Sequence, residues 1–155
     1  EPHCFGSPEE GKLENSTSAQ PVILPQKGYY EISVDVSTMS YTATQYTPTS
    51  TVYDPARITI CGNGMALGDW DPNNTDLLLS TNPDNPYQLE RTLTLTGGDV
   101  AITITSPGWG SPFWRLDENG ITVLLGGANF SYKGAEGTYK FVMDTELERA
   151  TLVKE

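Results

Sequence analysis

Trp70, Trp109 and Trp114 are the side chains of this sequence with the most binding chemistry to offer. Trp70 stands in the run Leu67-Gly68-Asp69-Trp70-Asp71-Pro72-Asn73-Asn74, a turn composition with no periodic apolar pattern around it. An indole held in such a turn presents a flat, polarisable face at low entropic cost. The axial C–H face of a pyranose ring is the apolar surface that fits it. Two or three rings converging from separate loops would form a glycan cradle. Packing is the competing reading, because tryptophan is highly buried on average and Trp70 could equally plug the end of a β-sandwich.

Catalytic chemistry has much less support. The single histidine, His3, lies at the start of the chain, and no nucleophile elbow, zinc-ligand spacing or phosphate-binding loop is present. A glycosidase needs two carboxylates at a defined separation, and no pair among the twenty acidic residues is marked out by its context. Asp69-x-Asp71-x-Asn73 opens like a calcium loop, but Asn74 and Ser80 occupy the positions that require Gly and Glu, so an Asx-turn shaping the Trp loop is the better reading. We therefore expect a non-enzymatic protein with no cofactor and no metal.

Twenty acidic against nine basic residues give a formal net charge of −11, which repels phosphate backbones and argues against nucleic acid as a partner. This acidity suits a secreted or surface-exposed domain facing neutral ligands. Cys4 and Cys61 could pair only in an oxidising compartment; the alternative, a small buried thiol at Cys61 ending a strand, fits the preceding Ile58-Thr59-Ile60 better. No apolar run is long enough for a transmembrane helix. The start, Glu1-Pro2-His3, suggests a mature or excised fragment, with any membrane anchor lying outside this sequence. Three formal glycosylation sequons begin at Asn15, Asn73 and Asn129.

Alternation of period two dominates the elements that must position these residues. Tyr30, Ile32, Val34 and Val36 alternate with polar residues, as do Leu89 to Leu95, Val100 to Ile104, and Tyr139 to Met143. Gly-Gly, Asn-Gly and Asn-Pro pairs supply the turns. No window carries a helical apolar stripe. The expected class is all-β, an immunoglobulin-like antiparallel β-sandwich of two packed sheets. On the central strand, Val100 to Ile104, the expected solvent-facing positions are Ala101 and Thr103.

The chain is also self-similar. An offset of 109 residues carries Gly11 onto Gly120, Gly28 onto Gly137, Tyr30 onto Tyr139, Asp35 onto Asp144 and Phe5 onto Trp114. Residues 1–47 therefore read as the C-terminal half of a β-sandwich module, 54–155 as a complete second module, and the intervening Thr/Ser/Pro stretch as a linker. Half a sandwich leaves an apolar face and open edges that need cover, from the intact module, from another chain as in a strand-exchanged dimer, or from further sequence.

The turn at 67–74, the downstream Trp109 and Trp114 and the repeated Gly-x-Tyr strand together resemble the starch-binding modules of SusE/SusF-type outer-membrane lipoproteins. The Leu67-Gly68-Asp69-Trp70 turn is also similar to that of the starch-binding modules appended to glucoamylases. The resemblance covers about 58–155. It implies that Trp70 stacks on one sugar, that Trp114, or alternatively Trp109, stacks on the next, and that Asn119 hydrogen-bonds ring hydroxyls. The family's central-strand Lys is absent here, and Arg115 is the candidate substitute. The resemblance further implies a glycan-capture protein at the outer-membrane surface of a Gram-negative bacterium. Its partners would be oligo- or polysaccharides and other outer-membrane glycan-uptake proteins. The competing function is an immunoglobulin-like spacer or protein-interaction module with its aromatics buried.

Overall fold

The structure, a computed structural model, describes residues 4–68, 70–116, 122–124 and 130–155. The chain divides into two compact units, Glu1–Thr49 and Ser50–Glu155. Both are built from antiparallel strands, and the only helical elements among the described residues are three short 3-10 turns. The composition explains this, because period-two alternation suits a half-buried strand and the frequent Gly, Pro and Asn keep the strands short.

The first unit holds β1 (Phe5–Gly6) and β2 (Glu14–Asn15), which pair with each other, and β3 (Tyr29–Asp35) and β4 (Ser40–Tyr46), which form a hairpin. The second unit runs through β5 (Thr59–Asn63), β6 (Ser80–Asn82), β7 (Asn85–Leu95), β8 (Gly98–Ser106), β9 (Gly110–Leu116), β10 (Thr122–Leu124), β11 (Phe130–Gly134), β12 (Gly137–Asp144) and β13 (Arg149–Lys154). One of its sheets has the order β13-β12-β7-β6. The other is built on β8, which pairs with β5, with β9 over Ile104–Ser106 and with β11 over Gly98–Ile102. β10 adds to the far side of β9.

Both sheets of the second unit contribute to one apolar core. Ile60, Ile102, Ile104 and Trp114 come from the β8 sheet, and Leu89, Leu93, Tyr139, Phe141 and Met143 from the other. This is a two-sheet β-sandwich. Tyr53, one residue ahead of the expected start of the second module, packs on the same core and meets the Trp114 ring edge-on at 4.9 Å.

The offset of 109 residues is visible in the backbone. Tyr30 pairs with Gln45 in the first hairpin, and Tyr139 with Lys154 in the second. The Asp35 carboxylate accepts the amides of Ser37 and Thr38, and that of Asp144 accepts those of Glu146 and Leu147. Met39 and Glu148, each closing its turn, have φ of 53° and 51°. The Tyr30 hydroxyl donates to the Gln26 carbonyl and the Tyr139 hydroxyl to that of Ala135, both four residues back. β1 and β2 repeat β9 and β10 in the same way, with Phe5 opposite Asn15 and Trp114 opposite Leu124.

Candidate functional site

The turn that carries Trp70 is held from several directions. Gly68 N–H donates to the Met65 carbonyl at 2.9 Å, and a Cβ at Gly68 would lie 2.7 Å from that of Met65, so a glycine is required there. Asp71 caps the turn by accepting the Asn73 amide at 2.9 Å, as the Asx-turn reading expects. The Asn74 side chain accepts from the Asp76 amide and donates to the Leu67 carbonyl, while Thr59 of β5 donates to the Asn74 carbonyl at 3.1 Å. Pro72 is buried. A turn fastened this way to the core strand gives its Trp a defined place.

A second turn, Pro107–Trp109, joins β8 to β9. Gly108 N–H donates to the Asn73 side-chain oxygen at 3.0 Å, which ties this turn to the first. Trp109 is thus one residue, and Trp70 three residues, from a single hydrogen bond. Trp109 itself has φ of 60°, a left-handed conformation that costs a bulky residue about 1–3 kcal/mol. Trp109 is 48% exposed and Trp70 is 40% exposed. Neither Trp belongs to the buried core cluster of the second unit.

Trp114 is placed otherwise. On β9 it pairs with Ile104 and points into the core, 3% exposed. The expectation that Trp114 supplies the second ring is therefore corrected, because the strand puts its side chain on the same face as Ile104. Arg115, its neighbour, faces the opposite way. Its guanidinium donates to the Thr103 hydroxyl and to the Trp114 carbonyl and lies 4.9 Å from the centre of the Phe113 ring. These bonds engage Arg115 within the protein, on the side of the sheet that covers Thr103. Thr103, expected to face solvent, is fully buried beneath it. Asn119 lies outside the described residues, as does Asp69.

Cys61 pairs with Thr103 on this same sheet face. Burial pushes its thiol up to about 11, with the Arg115 guanidinium opposing the rise and the Asp71 carboxylate adding to it. Cys61 is an inert buried thiol, and Cys4 is an exposed free one, so the two are not disulfide-bonded. Among the described residues no group of three His, Cys, Asp or Glu side chains is arranged to hold a metal ion, and no helix is long and apolar enough to cross a membrane.

The sequence offers Trp109 as the alternative second ring. Its signal was Ser106-Pro107-Gly108-Trp109-Gly110, a second aromatic in a Gly/Pro turn of the kind that singled out Trp70. No protein-family model, curated protein or solved structure matches the chain. The functional reading therefore rests on the residues and geometry of the site.

Proposed function

We propose that the second unit is a non-catalytic carbohydrate-binding module, with Trp70 and Trp109 as its sugar platform. The observation that carries this reading is the Asn73–Gly108 hydrogen bond, which couples two turns that each hold a half-exposed Trp. The left-handed backbone at Trp109 adds support, since strain of this kind clusters at ligand clamps. The Gly68-Asp69-Trp70 turn and the repeated Gly-x-Tyr strand carry the resemblance to SusE/SusF-type modules. Trp109 takes the part of the second ring. By that resemblance the ligand is a starch-type α-glucan or a related polysaccharide, captured at the surface of a Gram-negative cell for uptake. Two stacked rings and a few hydrogen bonds exchanged with water give weak binding, which polymeric ligands and tandem modules raise through effective concentration.

Isothermal titration with maltoheptaose and a pull-down on insoluble starch test the α-glucan; a panel of plant and mucin oligosaccharides tests the class. Trp70→Ala and Trp109→Gly are each expected to weaken binding at least tenfold with no loss of stability, because neither ring is part of the core. A folded protein that binds no member of the panel would sink the proposal.

Burial of Trp114 and the internal bonds of Arg115 favour a second reading, an immunoglobulin-like spacer or protein-interaction module. Iodide quenching separates the two. Quenching relieved by an oligosaccharide supports the platform, and quenching unmoved by every glycan supports the spacer.

A further inference from the structure

The two units share the same internal pairings and differ in one systematic way. Every pairing of the second unit that lies within β9–β13 has its counterpart in the first: β9 with β10 as β1 with β2, and β12 with β13 as β3 with β4. Every pairing that reaches into β5–β8 lacks one among the described residues. In the second unit β12 lies between β13 and β7, pairing with β7 from Gly137 to Asp144, whereas among the described residues the one strand paired with β3 is β4. β11 pairs with β8, whereas the equivalent residues, 21–25, form no strand.

Burial shows the same division. Phe141 and Met143 are 1% and 0% exposed, while Ile32 and Val34, their counterparts, are 48% and 55% exposed. Ile23, in the segment equivalent to β11, is 81% exposed. A groove of about 270 Å³, lined by Ser7, Pro8, Glu9, Ile23, Pro25 and Tyr41, opens beside it. Tyr41 pairs with Val34 and lies on the same apolar face. The turn shows the same gap. Asp144 accepts a third hydrogen bond from Gln88 of β7, and the Tyr87 carbonyl accepts from Thr145, so β7 fastens the turn of the complete copy.

We propose that residues 4–46 form a docking surface for a β5–β8-type half-module. Its β7 counterpart would add antiparallel to β3 on the side away from β4, and its β8 counterpart would take segment 21–25 as a strand. The complete copy states the chemistry of this partner. It is an extended polypeptide with a largely apolar alternating face, in the manner of Leu89, Leu93 and Leu95 opposite β12. Main-chain hydrogen bonds along that side of β3 supply affinity, and the exposed Ile32 and Val34 supply the apolar face. This inference is independent of the glycan reading.

The test joins a second copy of residues 50–112 directly ahead of residue 4, because the offset makes residue 4 equivalent to 113. Hydrogen exchange is then read along β3. Amide exchange from Tyr30 to Val34 is expected to slow at least tenfold relative to the unmodified chain, and Ile32→Asp is expected to abolish the gain while leaving the unmodified chain as stable as before. A synthetic peptide of sequence 85–95 added to the unmodified 155-residue protein serves as a second measurement, with protection expected on β3 and none on β12. Slowing in either experiment supports the proposal, and unchanged β3 exchange in both overturns it. A β3 edge already protected in the unmodified chain, within a dimer by sedimentation, would overturn it in favour of a second copy as the occupant.

Discussion

In the hairpin β3–β4 the Asp35 carboxylate gathers the amides of Ser37 and Thr38, and in β12–β13 the Asp144 carboxylate gathers those of Glu146 and Leu147. Register, turn and the Tyr hydroxyl bond are shared, yet Ile32 is half exposed where Phe141 is buried. A hairpin of this kind is specified locally by an Asx-turn and alternation. Its burial is supplied by other strands. An isolated two-stranded hairpin is marginal in water, so the two copies should differ in stability far more than in shape.

The comparison breaks first if matched core positions respond alike. Phe141→Ala is expected to cost about 3–5 kcal/mol in urea unfolding, because it leaves a cavity between two sheets. Ile32→Ala is expected to change stability by no more than about 0.5 kcal/mol. Equal effects would mean that the first hairpin is covered in solution.

The turn carboxylates give a smaller contrast. Asp144 is buried and also bonded by Gln88, so Asp144→Ala should cost about 1–3 kcal/mol by the same assay. Asp35→Ala should speed amide exchange in β3–β4 and leave the main unfolding transition where it is.

Thiol chemistry sharpens the comparison further. Cys4 in the first unit should react with a thiol reagent in the folded protein, and Cys61 only on unfolding. With its pKa raised to about 11, roughly one in a thousand Cys61 side chains is ionised at pH 8. Linkage fixes the sign of the pH effect. The unfolded thiol ionises near pH 8.5, so the stabilisation from a neutral buried Cys61 is complete below that pH and declines as pH rises toward about 11. A Cys61→Ser variant without that alkaline decline would support the assignment.

Acid gives the smallest effect. The Ser37 hydroxyl and the amides of Thr38 and Ser37 hold Asp35 below the ordinary carboxylate range. Its contribution to the turn is present above that range and is lost as pH falls through the depressed value. Exchange in β3–β4 should therefore accelerate on acidification, and Asp35→Asn should remove that dependence.

The strands were legible because alternation and burial share a period, as at Leu89–Leu95 and Tyr139–Met143. The offset of 109 was legible because Gly28, Tyr30 and Asp35 perform the same local tasks as Gly137, Tyr139 and Asp144. Trp114 was misplaced because its proximity in sequence to Trp109 concealed a change of element. Trp109 ends a turn, whereas five residues later pairing with β8 turns the ring inward. Thr103 was misplaced because alternation reports one buried face and cannot report that Arg115 covers the other. The Asn73–Gly108 bond joins residues 35 apart, and no local pattern encodes it.

The sugar platform is tested most directly through the indole N–H resonances of Trp70, Trp109 and Trp114, tracked during titration with a glycan selected from the panel. Shifts at Trp70 and Trp109, with Trp114 unmoved, are the expected result. Saturable binding that leaves Trp70 and Trp109 unmoved would place the ligand elsewhere and contradict the assignment.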